Sequence, residues 1–268
     1  MSDAVYSHGH HESVTRAHAA RTVQNSAAYL VPSLEPGQRI LDVGCGPGSI
    51  TIDLARRVGD GEVVGIDASA EVIAQARALA DASGVRNVRF EVGDAYALEA
   101  DDGAFDVVHA HQVLQHLGDP VAALAEWRRV SRGIVAARDV VYSATTIHPA
   151  SEGLREWRRI IVALQAANGG EADAGSHLKA WARAAGFTAI ETDVETWCFE
   201  SDAARAWWGH QWAERAIASS FATGTDEHGL ATHEDRVAIA DAWTAWAADP
   251  DGWMAMLHGW IVARVGDA

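Results

Sequence analysis

The sequence predicts an α/β fold in which a mostly parallel sheet of seven strands carries helices on both faces. Between residue 39 and about residue 142, short runs rich in Val and Ile alternate with amphipathic stretches of helical period. The short runs are apolar almost throughout, which is typical of strands buried on both faces of a parallel sheet. A chain of 268 residues is long enough for one such unit with an inserted segment.

Five strands and three helices are predicted in this first part of the chain. The strands are 39–45, 61–67, 87–94, 105–111 and 133–142, and the helices are 49–58, 71–83 and 120–132. Gly-Asp-Gly precedes the second strand and Asp-Ala-Ser follows it, which are favourable turn and helix N-cap residues. The regular alternation of strand and helix indicates a parallel sheet.

The chain becomes mostly helical after residue 150. The predicted elements there are helices at 151–170 and 176–186, a strand at 187–199, a helical segment at 202–256 and a seventh strand at 257–265. Ten of the eleven tryptophans lie at or after Trp157. They fit two interpretations, a helical cap filled with aromatic side chains and an aromatic-lined substrate cavity.

Four parts make up the predicted organisation. They are an N-terminal helical lid at 1–38, a core at 39–200, a Trp-rich helical cap at 201–256 and the last core strand at 257–268. Residues 11–30 predict a helix that ends before Pro32 and has no place in the strand–helix alternation. It is either a flanking helix or a lid over the site.

Charge and cysteine content exclude several functions. Lys and Arg number 21 against 37 Asp and Glu, a net charge of −16 that repels a nucleic-acid backbone. Only Cys45 and Cys198 occur, and the N-terminal residues lack the basic and apolar regions of a signal peptide. No apolar run approaches the roughly 20 residues of a membrane span. We expect a cytoplasmic protein that binds neither nucleic acid nor a membrane.

The turn after the first strand, residues 44–48, has glycine at every second position. Glycine lets the backbone come close to a ligand. Similar turns bind the pyrophosphate of dinucleotides at a helix N-terminus. Here the spacing is GxGxG rather than GxGxxG, and Pro47 lacks the N–H group that such a contact needs. The dinucleotide interpretation is therefore weak.

Three aspartates lie at or near the ends of the first three strands. Asp42 belongs to the turn motif, Asp67 ends the second strand 19 residues after Gly48, and Asp94 closes the third. Asp67 is placed to accept hydrogen bonds from two ribose hydroxyls, or to cap the next helix. Three carboxylates around one pocket repel a pyrophosphate and attract a positively charged ligand.

Four segments, LDVGCGPG, GID, GDA and FDVVHAHQVLQHLGDP, closely resemble the motifs of class I S-adenosylmethionine-dependent methyltransferases. The pattern is most similar to the ubiquinone/menaquinone-biosynthesis type (methyltransferase types 11 and 25). The resemblance is strong over residues 39–142 and looser beyond. It implies a Rossmann-like fold, S-adenosylmethionine as cofactor and S-adenosylhomocysteine as product. RRVSRGIVAAR lacks the LKPGG-type turn of relatives, which leaves the geometry of the fifth strand open.

The resemblance implies contacts to the methionine part of the cofactor. Gly44, Gly46 and Gly48 would shape the turn around it, and Asp42 would hold its amino group. His109 to Gln112 would approach the methionine carboxylate or the methyl group.

The remaining implied contacts are to the nucleoside part. Asp67 would bind the ribose, and Ala68 would pack on the adenine. Asp94 would accept from the adenine amine, and Ala95 would supply a backbone donor. Tyr6, in the N-terminal segment, would close over the cofactor.

Several side chains near the ends of the fourth and fifth strands are candidates for the chemistry. Methyl transfer depends mostly on alignment and exclusion of water, so a base is needed only when the acceptor loses a proton. His111 is the best candidate for that base. His116 is either catalytic or a loop-ordering residue. Asp139 and Tyr142 are candidates for orienting an acceptor.

A small molecule is the expected acceptor, either aromatic and quinone-like or a natural product. HAHQ follows the fourth strand in place of the NPPY or DPPY strings that resemble enzymes methylating amino groups of nucleic-acid bases or protein glutamine. No metal is predicted, since the HGHH histidines at 8–11 lack partners at ligand spacing. Trp207, Trp208 and Trp212 of the cap cannot share one helical face, so one or two of them should be core residues.

Three alternative functions stay open. They are an NAD-type dehydrogenase, a binding protein of the same fold that does not methylate, and an enzyme in which the sulfonium assists another reaction.

Overall fold

A mixed eight-stranded sheet lies at the centre of the computed structural model, which describes residues 21–266. The strands are β1 Arg39–Val43, β2 Glu62–Asp67, β3 Val88–Val92, β4 Phe105–His111, β5 Ser131–Val140, β6 Thr146–His148, β7 Ala189–Phe199 and β8 Trp253–Arg264. Their order is β3-β2-β1-β4-β5-β8, with β6 and β7 both paired to β8. The first five strands are parallel, and β8 runs antiparallel to β5, β6 and β7.

Nine α-helices surround this sheet within the described residues. They are α1 Val23–Ser26, α2 Ser49–Val58, α3 Ala70–Ser83, α4 Pro120–Val130, α5 Glu152–Ala167, α6 Ala174–Ala184, α7 Asp202–Ala218, α8 Ser220–Glu227 and α9 His233–Ala248. Side-chain caps begin several of them. Ser69 accepts from the Val72 amide at the start of α3, and Asp119 accepts from the Ala122 amide at the start of α4. None of the described helices is long and apolar enough to cross a membrane.

Helices cover both faces of the sheet because alternate residues of a strand point to opposite sides. Leu41 of β1 shares a buried cluster with Trp127 of α4 and Leu178 of α6. Ile40 points the other way and shares a cluster with Leu54 of α2. The predicted α/β class with a mostly parallel sheet is confirmed.

The region after α6 differs in detail from the prediction. Residues 253–256 were expected to end the helical segment, but β8 begins at Trp253. Met254 and Met256 are buried on alternate positions and pair with β7, so contacts distant in sequence give this stretch its strand conformation. The short strand β6 is an eighth strand that the sequence did not predict.

Near the N-terminus, only part of the predicted lid is described. The helix expected up to residue 30 breaks at Ala27, and a 3-10 helix, Ala28–Ser33, continues through Pro32. Tyr6 and the histidines at 8–11 lie outside the described residues. β5 follows α4 without a loop, and its pairing with β4 shifts register between Phe105 and Val107.

Tryptophans fill the interior of the helical layer formed by α5 and α7 to α9. Trp157, Trp212 and Trp243 are fully buried. The Trp157 ring lies 4.9 Å from each of the other two, edge to face. Each such pair contributes about 1 kcal/mol beyond the area it buries. Core filling therefore explains these three tryptophans. Trp208 and Trp212 are buried and Trp207 is 38% exposed, as the prediction of one or two core residues among these three requires.

Candidate active site

The glycine turn between β1 and α2 has left-handed backbone at all three glycines, with φ of +65°, +55° and +85° at Gly44, Gly46 and Gly48. A Cβ atom at Gly44 would lie 2.4 Å from Val113 Cγ2, and one at Gly48 would lie 2.7 Å from Phe90 Cζ. The turn therefore accepts only glycine at these two positions without rearrangement.

The amides of this turn are satisfied inside the protein. Cys45 N donates to Ile66 O at 2.9 Å, and Gly48 N donates to Cys45 O at 3.1 Å. Gly46 N donates to the Asp67 carboxylate at 3.1 Å, and residue 47 is proline. Residues 45 to 48 thus offer no backbone donor to a pyrophosphate, in line with the proline at position 47.

Asp67 joins the glycine turn to the start of α3. Its Oδ2 accepts from Gly46 N, and its Oδ1 accepts from Ser69 N at 3.0 Å. The side chain is half-buried at the carboxyl end of β2. Because a carboxylate has about four lone pairs, each oxygen keeps one for a further donor such as a ribose hydroxyl.

Asp42 lies deeper than the sequence suggested. Its Oδ1 lies 2.7 Å from His109 Nδ1, and its Oδ2 accepts from the Thr51 hydroxyl at 2.6 Å. The Asp42 residue is 2% exposed. Asp42 therefore holds β1, β4 and α2 together beneath the turn.

Asp94, Ala95 and Ala68 form the outer part of the same edge. Asp94 is exposed and accepts from the Tyr96 amide at 2.9 Å. The carbonyl oxygen of Ala95 accepts from Trp127 Nε1, which fixes the loop after β3. Ala68 is exposed directly after Asp67. The structure thus brings the acids of β1, β2 and β3 to one edge of the sheet.

A chain of hydrogen bonds runs from Arg21 across the end of β4. Arg21 donates to Gln112 Oε1, and Gln112 Nε2 lies 2.9 Å from His258 Nε2. His258 Nδ1 lies 3.0 Å from Met256 O. Since a carbonyl only accepts, Nδ1 carries the proton and Nε2 accepts from Gln112. Gln112 has φ +56°, so the backbone turns sharply where this chain crosses it.

His111 is 5% exposed, and neither of its ring nitrogens has a hydrogen-bond partner among the described residues. Burial, together with the positive charges of Arg21 and Arg138, lowers its pKa well below the usual value. The ring is therefore neutral at pH 7. It lies 5.8 Å from the Trp197 ring.

His116 and Asp139 are also buried. Burial lowers the pKa of His116 to about 3, against the effect of a hydrogen bond with Gln165. Burial raises the pKa of Asp139 to about 8, and the backbone amides of Leu114 and Gln115 only partly oppose it. At pH 7 His116 is thus neutral and Asp139 is mostly protonated. Tyr142 is in the core, 6.2 Å from the Trp157 ring.

A pocket of about 550 Å³ opens between the described N-terminal segment, β7 and α7. Its described lining is Arg21, Gln24, Asn25, Arg138, Glu195, Thr196, Trp197, Cys198, Phe199, Trp207, Trp208 and Arg215. Arg21 joins this pocket to the end of β4 through Gln112. His111, His116 and Asp139 lie outside the lining.

Sequence reasoning missed Arg138, Trp197 and His258. A signal existed for Arg138, because a charged pair interrupts the apolar run of β5. For His258 and Trp197 the signal was weak. They meet, with ring centroids 4.5 Å apart, only because β7 pairs with β8.

A Rossmann-like α/β fold with a glycine turn and carboxylates where its first strands end is typical of enzymes that bind a nucleoside cofactor. A profile described as a methyltransferase domain matches residues 34–201. An uncharacterised methyltransferase of Schizosaccharomyces pombe is 31% identical over 97% of this chain and 96% of its own length. The chain belongs to the S-adenosylmethionine-dependent methyltransferase family, so it is an enzyme with S-adenosylmethionine as cofactor.

Two further relatives agree with this assignment. A ubiquinone/menaquinone biosynthesis C-methyltransferase of Bdellovibrio bacteriovorus is 36% identical over 36% of this chain and 40% of its own length. The solved structure of the YcgJ protein of Bacillus subtilis has a TM-score of 0.59 at 19% identity, covering 90% of this chain and 98% of that one. The first supports the resemblance seen in the motifs, and the second supports the fold.

The residues at the sheet edge fit this cofactor. A Cβ atom at Gly44 or Gly48 would collide with Val113 or Phe90, so glycine keeps the turn close to the end of the sheet, and residues 45 to 48 offer no phosphate donor. Asp67 and Asp94 supply acceptors for hydroxyl and amino groups. Cys45 beside them is not a nucleophile, since burial and the charge of Asp42 raise the pKa of its thiol.

Proposed function

We propose that this enzyme methylates a small molecule bound in the pocket between the N-terminal segment, β7 and α7. The pocket itself carries the proposal, because about 550 Å³ is within the range typical of small-molecule sites. Trp197, Phe199 and Trp208 give it aromatic walls suited to a planar acceptor. The net charge of −16 disfavours nucleic acid.

In this proposal the sheet edge holds the cofactor. S-adenosylmethionine supplies a methyl group on a positively charged sulfur. Gly44, Gly46 and Gly48, all with positive φ, shape the turn beside its methionine part. Asp67 accepts from the ribose hydroxyls, and Asp94 accepts from the adenine amine.

Alignment and exclusion of water supply most of the rate in this proposal. The chain from Arg21 through Gln112 to His258 orders the backbone between the two binding sites. His111 is the candidate base of this proposal, because its ring is neutral and lies 5.8 Å from Trp197 of the pocket wall, although His111 itself lies outside the described lining. Asp139 is mostly protonated at pH 7, so it is a hydrogen-bond donor rather than a base. His116 orders the loop after β4.

Labelled methyl transfer tests the proposal. The purified enzyme is incubated with S-adenosylmethionine carrying a labelled methyl group and with phenols, quinols, aromatic acids and amines, and separately with tRNA, DNA and casein. Label should enter a small molecule and none of the three polymers. Label in a polymer alone would overturn the proposal, and bound cofactor without any transfer would favour the non-methylating alternative.

A matched pair of tryptophan variants locates the acceptor. Trp207 lines the pocket and is 38% exposed, whereas Trp253 lies outside the lining and is 39% exposed. Trp207→Ala should raise the KM for the acceptor about tenfold, the loss of about 1.4 kcal/mol of contact. Trp253→Ala should leave the KM unchanged. Equal KM values for both variants would mean that the acceptor does not bind in this pocket.

A cytoplasmic location stays a prediction of the sequence.

A further inference from the structure

The pocket concentrates positive charge in a strongly acidic chain. Among its described lining residues are three arginines, Arg21, Arg138 and Arg215, and one carboxylate, Glu195. The whole chain carries a net charge of −16. The acidic composition of the chain does not account for a cluster of three guanidinium groups. Such a cluster attracts anionic ligands electrostatically.

Arg138 is the central member because it is fully buried. Its Nε lies 3.1 Å from Glu195 Oε2, but none of its three nitrogens makes a hydrogen bond to a described residue. Its guanidinium carbon lies 5.2 Å from the centre of the Trp197 ring. Burial lowers its pKa to about 10, so it is charged at pH 7. Glu195 partly balances this buried charge, and a ligand carboxylate would satisfy the donors that Glu195 leaves unused.

Of the described groups packed around Arg138, Glu195 alone supplies a negative charge, through a salt bridge to Nε. Asp139 follows it on β5 but is mostly protonated at pH 7. His111 and His258 face it from β4 and β8, and burial lowers the pKa of each well below the usual value. Glu195 on β7 is the one carboxylate of the described lining, and its side chain is 29% exposed.

Arg21 and Arg215 add charge from two other elements. Arg21 lies over the Trp197 ring, 5.6 Å from its centre, and donates to Gln112. Arg215, on α7, donates to Gln211 at 3.3 Å. Three guanidinium groups from the N-terminal segment, β5 and α7 thus line one aromatic pocket. Guanidinium matches the planar, bidentate geometry of a carboxylate.

We propose that the methyl acceptor carries a carboxylate that binds Arg138, with Arg21 and Arg215 adding attraction and Trp197 packing against the body of the molecule. The proposal rests on the proposed function only where it identifies the bound carboxylate as part of the methyl acceptor. The binding of an aromatic carboxylate in the pocket stands on the residues described above.

Benzoate and its neutral isostere benzamide are the probes. Each is titrated into the full-length enzyme loaded with S-adenosylhomocysteine, and tryptophan fluorescence reports binding because Trp197, Trp207 and Trp208 line the pocket. Benzoate should bind at least about tenfold more tightly than benzamide, a difference of about 1.4 kcal/mol. Its affinity should fall as salt is raised while that of benzamide does not. Equal affinities, or no binding of benzoate up to about 20 mM, would overturn the proposal.

Three variants locate the anion. The benzoate preference is the dissociation constant of benzamide divided by that of benzoate. Arg138→Gln should bring this ratio close to one, and Arg215→Gln should reduce it. Arg155→Gln, on the exposed face of α5, should leave it unchanged. If Arg138→Gln does not fold, the Arg215→Gln variant and the salt dependence of benzoate binding to the wild type still test the proposal. An unchanged preference in Arg215→Gln together with salt-independent binding would overturn the proposal.

The same samples separate this proposal from the proposed function. Binding of S-adenosylhomocysteine without benzoate preference refutes the anionic acceptor and leaves methylation of a small molecule standing. Benzoate preference in an enzyme that labels none of the small molecules supports the anion site while the proposed function fails.

Discussion

Asp42 and His109 face each other across β1 and β4, with Asp42 Oδ1 2.7 Å from His109 Nδ1 and both side chains buried. The second oxygen of Asp42 accepts from the Thr51 hydroxyl of α2 at 2.6 Å. One carboxylate therefore connects the three elements that frame the glycine turn. Its position beneath the turn makes it a determinant of the turn's shape as well as of the local charge.

Asp42→Ala should lower the free energy of unfolding by about 3 kcal/mol. The change leaves the hydroxyl of Thr51 and the ring of His109 buried without their acceptor. Urea denaturation measures the loss. Asp60→Ala is the control, because Asp60 is exposed before β2 and its removal should change stability by less than about 0.5 kcal/mol. Equal effects of the two substitutions would show that the buried pair contributes nothing.

Gln112 is the one described residue other than glycine with positive φ, at +56°. Replacing it by Gly or by Ala removes the same side-chain contacts to Arg21 and His258, but only Gly adopts this backbone without strain. Gln112→Gly should therefore be more stable than Gln112→Ala by about 1 kcal/mol in thermal unfolding. An Ala variant as stable as the Gly variant would mean that the backbone is not strained here.

Local signals explain which elements the sequence predicted well. The bounds of α2 and β4 agree with the prediction, because glycine borders α2 at both ends and turn residues precede β4. The strand Trp253–Met256 was missed because its partner, β7, is distant in the chain. Local propensity carries no information about such pairing.

The same distinction applies to the site. The motifs placed Asp67 beside the glycine turn, and the structure shows the hydrogen bond from Gly46 to its carboxylate. The pocket combines Arg138 of β5 with Glu195 and Trp197 of β7, residues that no local motif relates. His111 and Asp139 were picked for their chemistry, and their neutral states follow from burial, which only the packed structure gives.

Asp139 should make the protein less stable as pH rises. Burial raises its folded-state pKa from 3.8 to about 8, so between these values the folded chain holds a proton that the unfolded chain has released. Relative to Asp139→Asn, the wild type should lose up to about 1.4 kcal/mol of unfolding free energy per pH unit from about pH 4 to about pH 8, and no more above that. Urea denaturation of both proteins across this range measures the difference.

Asp106 provides a control of opposite sign. The pKa of Asp106 lies below its usual value. Partial burial alone would raise this pKa, but the hydrogen bonds from the Arg39 backbone and the Arg132 side chain outweigh that effect. Relative to Asp106→Asn, the wild type should gain stability as pH rises through the usual carboxyl range near pH 4. A pH-independent difference for Asp139→Asn would mean that the Asp139 carboxyl ionises normally in the folded protein.

Asp67→Ala should weaken the binding of S-adenosylhomocysteine without unfolding the protein. The carboxylate is half-buried, accepts from Gly46 N and Ser69 N, and retains lone pairs for the ribose hydroxyls. Loss of two charge-assisted hydrogen bonds corresponds to about 2 to 4 kcal/mol, or roughly 30- to 1,000-fold in the dissociation constant measured by calorimetry. Glu62→Gln is the matched control, because Glu62 lies at the opposite end of the same strand, where it pairs with Arg39 and Arg89. Its affinity should equal that of the wild type. If Asp67→Ala also binds as the wild type does, the ribose contact belongs to another residue, and Asp67 serves only to join the glycine turn to α3.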